Sequence, residues 1–264
     1  MPHMLILGLG YTAARLEACL RGEGWRVTGV RRSADADILA FDDASAVRAA
    51  IASATHILSS VPPEGDADPV LARYGAALAA APALWTGYLS STGVYGDAAG
   101  AWVDEASLVG QGRRTARAAA DADWGALRAD MRRFRLPGIY GPGRSALERV
   151  RVGRAHRIAL AGQVFSRVHV DDIVGGVIAS FDGPPGVYNL ADDLPCAQND
   201  VIEAACDLLA QPWPPLQTME EAALSPMARG FYAENRRVAS GRAKRLLGWT
   251  PRYPTYREGL AACL

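Results

Sequence analysis

The chain has 264 residues, half of them hydrophobic, which is ample for a buried core in one large domain or a domain with a small lobe. Its 28 basic and 28 acidic side chains cancel to a formal net charge of zero, which argues against a nucleic-acid or anionic-membrane surface. No apolar run approaches membrane-spanning length, and the four scattered cysteines show no metal-ligand spacing, so no metal is expected.

In chain order, Leu5–Leu7 reads as an apolar strand that breaks into Gly8-x-Gly10-x-x-Ala13 and then into a helical pattern near Tyr11–Arg21. Strand, turn and helix in that order predict a dinucleotide site. Glycine at 8 and 10 permits a tight turn and a close approach of backbone to ligand, and a small residue at 13 lets the helix pack on the strand. Gly8, Gly10, Tyr11 and Thr12 are the expected pyrophosphate turn, with the N–H groups of the helix start facing the anion. The other reading of the same residues is a plain strand–helix turn. The first strand begins at about Met4, so no signal peptide is expected ahead of it, and a cytoplasmic protein with reduced thiols is expected.

The next strand, Arg26–Val30, runs directly into Arg31 and Arg32 with no acid. An acidic side chain at that edge accepts from the ribose 2′-hydroxyl of NAD, whereas arginine pairs with the 2′-phosphate of NADP. NADP is therefore expected ahead of NAD; the alternative is two solvated arginines. Ile38–Phe41 is another apolar run. Asp42 after it either accepts from the adenine amino group or caps the alanine-rich helix Ala44–Ala54. Ile57–Val61 is a strand stopped by Pro62-Pro63, and Ser59 and Ser60 at its carboxyl edge are expected beside the cofactor.

Val70–Ala81 reads as a helix, Trp85–Ser91 as a strand and Gly112–Leu127 as a long Ala/Arg-rich helix. Met131–Leu136 is one more strand, cut off by Pro137-Gly138. Continuous apolar strands separated by helices imply a doubly wound parallel α/β sheet, a Rossmann-type fold covered on both faces. After about Gly141 the pattern loosens, with strand-like pieces at Val164–Val170 and Val187–Leu190 and helical ends at Arg242–Trp249 and Tyr256–Leu260. One domain is expected, with its cofactor-binding part over about residues 1–140. The remainder, about 141–264, partly completes the sheet and partly forms a small substrate lobe.

Ser90-Ser91-Thr92-Gly93-Val94-Tyr95-Gly96 ends the fifth strand, where hydroxyls point into the crevice outside the sheet. At this block the chain resembles the extended short-chain dehydrogenase/reductase superfamily, and within it the atypical NAD(P)-dependent epimerase/dehydratase-like proteins. Matching stretches follow in order: Arg135-Leu136-Pro137-Gly138-Ile139-Tyr140-Gly141-Pro142, Arg167-Val168-His169-Val170-Asp171-Asp172-Ile173, Tyr188-Asn189-Leu190 and Leu247-Gly248-Trp249-x-Pro251. The resemblance implies that Ser91 is the catalytic serine that hydrogen-bonds the reacting oxygen. It implies that Pro137, Gly138 and Ile139 pass the nicotinamide, with Ser90 on the cofactor side. Thr92 and Arg167 fall on the substrate side, Arg167 at a position that touches substrate phosphate. His169, Asp171 and Asp172 are read as framework, with an aspartate at 171 or 172 capping the helix that begins there.

The departure from the family pattern is as informative. The resemblance implies a tyrosine and, four residues on, a lysine that lowers the tyrosine pKa for proton exchange. Here those places fall near Arg113 and Arg117, and no tyrosine stands between Gly96 and Arg135. The single lysine of the chain is Lys244. Arginine stays protonated and is no acid or base. Tyr95 and Tyr140, both in loops at the carboxyl edge, are the candidate proton donors, with packing of the crevice wall as the alternative for each.

Two readings stay open. One is an NADP-preferring oxidoreductase or epimerase-like enzyme acting on a small hydroxyl or carbonyl compound, possibly sugar-linked. The other is a non-catalytic NADP(H)-binding sensor. Homodimerisation is common in the superfamily, but the Ala/Arg-rich helix lacks a strong apolar stripe, so dimer and monomer both stay open.

Overall fold

The computed structural model describes residues 1–35 and 37–264. Strand β1 (His3–Leu7) leads through the glycine turn into helix α1 (Tyr11–Gly22), then β2 (Arg26–Arg31) and β3 (Ile38–Ala40). Helix α2 (Ala44–Ser53), β4 (His56–Ser59), α3 (Pro69–Ala79) and β5 (Trp85–Ser91) continue the alternation. A 3₁₀ turn (Thr92–Tyr95) and the short β6 (Trp102–Val103) precede α4 (Thr115–Leu127), β7 (Met131–Leu136) and β8 (Gly138–Tyr140). The second half adds α5 (Ala146–Arg151), β9 (Arg157–Ile158), β10 (Arg167–His169), α6 (Val170–Ala179) and β11 (Gly186–Asn189). It ends with α7 (Gln198–Leu208), β12 (Leu216–Gln217), α8 (Pro226–Phe231), β13 (Arg237–Val238), α9 (Gly241–Leu247) and α10 (Tyr256–Ala261).

Seven strands form one parallel sheet in the order β11-β7-β5-β4-β1-β2-β3. Its centre explains the apolar runs. In β1, Met4 and Ile6 point into a core with Leu16, Leu20, Trp85 and Phe134. Leu5 and Leu7 point the other way, into a core with Val47, Tyr74, Tyr88 and Trp124. A strand buried on both faces needs apolar residues at every position, so its period-two pattern disappears from the sequence. The sheet changes direction between β1 and β4, and the crevice beyond the carboxyl ends there is where such sheets take ligands.

Beyond the sheet, α5, α7 and α10 bury Leu147, Val201, Ile202, Tyr256 and Leu260 against one another. Three two-stranded ladders, β8–β10, β9–β12 and β6–β13, form apart from the seven-stranded sheet. No helix among the described residues is long and apolar enough to cross a membrane.

Three local readings are corrected. Helix α2 is capped by Asp43, which accepts from Ala46 N at 3.0 Å, while Asp42 pairs with Arg73 at 3.2 Å. Helix α6 is capped by His169, whose Nδ1 accepts from Asp171 N at 3.2 Å. Asp171 instead receives Arg15, and Asp172 accepts from the N–H groups of Arg252 and Tyr253. Helix α4 begins at Thr115 rather than Gly112. The backbone of Gly112 lies against Gly96, so tightly that a Cβ on Gly112 would sit 2.6 Å from the Gly96 Cα.

Candidate functional site

A cavity of about 840 Å³ opens at the carboxyl ends of the sheet, between the glycine turn and the C-terminal elements. Gly10, Tyr11 and Thr12 line one end of it, and Ser60 and Pro62 stand beside them. Ser91, Pro137, Gly138 and Ile139 line the middle, and Arg167, Phe231 and Tyr232 lie on the far side.

The two turn glycines have different reasons to be glycine. Gly8 has φ +90°, and a Cβ there would lie 2.7 Å from Val61 Cγ2, so the fold itself demands the residue. Its carbonyl accepts a hydrogen bond from the Ser60 hydroxyl, which binds the turn to the end of β4. Gly10 has ordinary extended geometry, φ −93° and ψ −166°, and a Cβ there would meet no heavy atom within 4 Å. Nothing in the protein requires glycine at 10. Gly10 is also the N-cap of α1 and offers no side-chain acceptor, so the first-turn N–H groups of a 12-residue helix are left for another partner. Bare N–H groups, the positive end of a helix and open space over the backbone fit an anionic ligand lying on the turn, as a pyrophosphate would.

The remaining expected cofactor residues divide by position. Arg31 and Arg32 are exposed at the end of β2, and Arg31 Nε donates to the Leu9 carbonyl at 2.8 Å, holding that guanidinium beside the turn. Asp42 is an exposed carboxylate after β3. These three lie outside the cavity wall, on the outer side of the turn. Ser59 is fully buried within β4, and its hydroxyl has no hydrogen-bond partner.

Ser91 and Ser90 face opposite ways, as neighbours in a strand must. Ser91 is half-buried in the cavity wall, where its Oγ accepts from Gly93 N at 3.1 Å and starts the 3₁₀ turn. Ser90 borders the cavity, but its hydroxyl turns back to donate to Asp121 Oδ1 at 2.6 Å. Thr92 is buried, with its hydroxyl 3.5 Å from the Leu136 carbonyl.

Neither candidate phenol meets Ser91. Tyr95 donates to Asn189 Oδ1 at 2.7 Å and accepts from Arg135 Nη1 at 3.0 Å, and it is 3% exposed. Burial pushes its pKa up, against the pull of the Arg135 cation. This hydroxyl belongs to a closed network in which Arg135 also grips Asp121, at 2.8 and 3.2 Å, and Asp121 receives Arg133 at 2.9 Å. Although burial pulls the Arg135 guanidinium down, the Asp121 carboxylate more than compensates and keeps it charged. The Tyr140 ring reaches the cavity, but its hydroxyl is buried against α10, within a Cβ's contact of Gly259, and has no hydrogen-bond partner. Burial raises that phenol far above the ordinary tyrosine range.

Arg167 is 6% exposed and reaches the wall of the cavity from β10. Its guanidinium donates to Phe165 O at 3.0 Å and rests against Cys196 Sγ at 3.0 Å. Close by, burial raises the Asp192 carboxyl to about 7, against the attraction of Arg167. Among the described residues no cluster of His, Cys, Asp or Glu could hold a metal, and all four cysteines are free.

Sequence reasoning missed Arg114, Phe231 and Glu234, which close the cavity beside Ser91. Arg114, the N-cap of α4, lays its guanidinium over the Phe231 ring at 5.7 Å, and Glu234 anchors Arg236 at 2.9 Å. Phe231 and Glu234 come from a loosely patterned stretch more than 110 positions away from Arg114. Their only sequence signal was an aromatic and an acid among arginines near residue 235.

A functionally unknown conserved protein from Silicibacter pomeroyi DSS has 41% sequence identity with this chain, a TM-score of 0.88 and coverage of 100% of this chain and 98% of that one. The two chains belong to one family. Proteins of epimerase type share the fold. The human epimerase family protein SDR39U1 (isoform 2), solved with NADPH, superposes with a TM-score of 0.77 at 18% identity, over 98% of this chain and 97% of that one. A 3-diazoavenalumate denitrifying reductase from a Streptomyces species is 30% identical over 139 residues, a match that spans 48% of this chain and 45% of that protein. The chain thus covers less than half of that relative's length. No protein-family model matches the chain.

Proposed function

We propose that the chain binds NAD(P) across the glycine turn and uses it for oxidoreductase or epimerase-like chemistry on a small hydroxyl or carbonyl compound. The observation that carries this reading is Gly10, a glycine that the folded protein does not need, placed at the uncapped start of α1 and at the rim of the large cavity. The NADPH held by the human epimerase-family protein and the reductase activity named for the Streptomyces relative point the same way. A bound nicotinamide would supply the hydride acceptor or donor.

The chain's own groups then take these roles. The first-turn N–H groups of α1 hold the pyrophosphate. Arg31 and Arg32, with no acid beside them at the end of β2, favour a 2′-phosphate and hence NADP. Asp42 stands at the adenine edge, while Ser60 lines the cavity beside the turn. Pro137, Gly138 and Ile139 bring backbone close to the nicotinamide. The Ser91 hydroxyl polarises the reacting oxygen, with Thr92 and Arg167 on the substrate side. A cytoplasmic location fits the four free thiols.

The test is turnover. A panel of aldehydes, ketones and alcohols is screened for oxidation of NADPH or reduction of NADP, with the wild type and Ser91→Ala. The expected result is a substrate whose turnover Ser91→Ala abolishes while cofactor affinity stays as in the wild type. Turnover insensitive to Ser91→Ala would refute the assignment of that residue.

A specific observation favours a second reading, a non-catalytic NADP(H) sensor. Both candidate phenols are buried away from Ser91, and arginines stand near the places of the family's tyrosine and lysine. On that reading NADPH binds, no substrate in the panel turns over, and the oligomeric state or a partner contact changes on binding.

A further inference from the structure

The cavity wall carries a large excess of positive charge. Eight arginines line it, and Glu234 is the one carboxylate that does so among the described residues. The excess is concentrated beside Ser91. The Arg114 side chain crosses Gly93, since a Cβ on Gly93 would lie 2.9 Å from Arg114 Cδ and 3.3 Å from Ser91 Oγ. Arg114 and the serine hydroxyl are therefore neighbours. Arg117 lines the same wall one helical turn further on and lies near the buried Tyr88 hydroxyl.

The single acid is already taken. Glu234 accepts from Arg236 Nη1 at 2.9 Å and from Arg113 N at 3.2 Å, with Arg113 Nε at 3.8 Å. Arg236 also donates to the Gly96 carbonyl at 2.6 Å, and Arg113 to the Gly230 carbonyl. Among the described residues Arg114 and Arg117 have no carboxylate within the 4.0 Å of an ion pair. Burial lowers the Arg114 pKa, and Arg117, Arg113 and Arg236 lower it further against the one opposing charge of Glu234. Stacking on Phe231 fixes the Arg114 fork in place before any ligand arrives. Two guanidiniums without a carboxylate partner repel each other across the wall, and a ligand anion relieves that repulsion.

We propose that Arg114 and Arg117 hold an anionic group, a phosphate or a carboxylate, that the substrate carries next to the carbon reacting at Ser91. The substrate is then a small anionic hydroxy- or oxo-compound, charged at its reacting end. This rests on the reading that NAD(P) lies along the glycine turn and Ser91 marks the reacting oxygen.

The test is calorimetric titration of the full chain with inorganic phosphate and, separately, with oxalate, at low ionic strength where screening is weak. It is repeated on Arg114→Ala, Arg117→Ala and, as a control on another element of the cavity wall, Arg149→Ala. The expected result is that one probe binds the wild type and that Arg114→Ala and Arg117→Ala each weaken it by about tenfold or more, the loss of a charge-assisted contact. Arg149→Ala is expected to leave it within about twofold, since that side chain lies outside the proposed pair. Binding of phosphate alone assigns a phosphate, and binding of oxalate alone assigns a carboxylate. The inference is overturned if neither probe binds, if both arginine variants bind like the wild type, or if Arg149→Ala loses as much as they do. NADPH titration of the same proteins separates the two levels. NADPH binding without anion binding overturns this inference alone, and a wild type that binds anion but no NADPH overturns the cofactor reading instead.

Discussion

Replacing Gly10 by serine should move stability and cofactor affinity in opposite directions. Gly10 has extended geometry and no neighbour within 4 Å of a Cβ, so serine fits the folded chain without strain. As an N-cap, serine exceeds glycine by a few tenths of a kcal/mol, because its hydroxyl accepts from a first-turn N–H. The same hydroxyl occupies a donor assigned to the pyrophosphate. Losing one charge-assisted hydrogen bond costs about 1.5–3 kcal/mol, or about 10- to 150-fold in Kd.

Gly8→Ala is the contrasting control. Its φ of +90° is strained for alanine and its Cβ would sit 2.7 Å from Val61 Cγ2. Left-handed strain of about 1–2 kcal/mol and overpacking of about 1–3 kcal/mol together predict a loss of about 2–5 kcal/mol. Urea melts and calorimetric titration with NADPH on the same preparations read both quantities. A Gly10→Ser protein that melts as early as Gly8→Ala, or that binds NADPH as tightly as the wild type, would refute the distinction between the two glycines.

The remaining predictions concern the frame of the site. Asp121→Ala strips the buried Arg135 of its counter-ion and should cost about 3–5 kcal/mol in urea denaturation, while Asp171→Ala, whose partner Arg15 is 41% exposed, should cost at most about 1 kcal/mol. Equal losses in the two variants would contradict the burial argument. The Asp192 carboxyl, raised by burial to about 7, binds its proton more tightly in the folded than in the unfolded chain. Folded-state stability should therefore fall as the pH rises from about 4 towards 7 and level off above it, by on the order of 4 kcal/mol. Asp192→Asn should flatten that slope, and parallel pH–stability curves for the two proteins would exclude the assignment.

Much of the frame was legible in the chain, and the reasons are local. Leu5–Leu7, Ile57–Val61 and Met131–Leu136 read as strands because both sides of the sheet are covered, although the second ends at Ser59. The glycine turn read as a ligand site because strand, glycines and helix follow one another without interruption. Side-chain direction was harder to see. Ser90 and Ser91 both read as crevice hydroxyls, although adjacent strand residues point to opposite faces, and Asp121, which takes up Ser90, is 31 positions away. Tyr95 stood at the right edge, but its rotamer is decided by Asn189 and Arg135, which only the closed sheet brings to it. The α6 cap fell to His169 because its ring nitrogen reaches the Asp171 N–H, whereas both aspartates serve more distant partners. The wall of Arg114, Phe231 and Glu234 joins two segments that share no local pattern, so no short-range signal announced it.

The most direct measurement is calorimetric titration of the purified chain with NADPH, NADH and their oxidised forms, on the wild type and on the double variant Arg31→Ala/Arg32→Ala. The account predicts that the wild type binds dinucleotide, prefers NADPH to NADH, and loses that preference in the double variant while still binding NADH. A wild type that binds none of the four would contradict it and would leave the glycine turn as architecture alone.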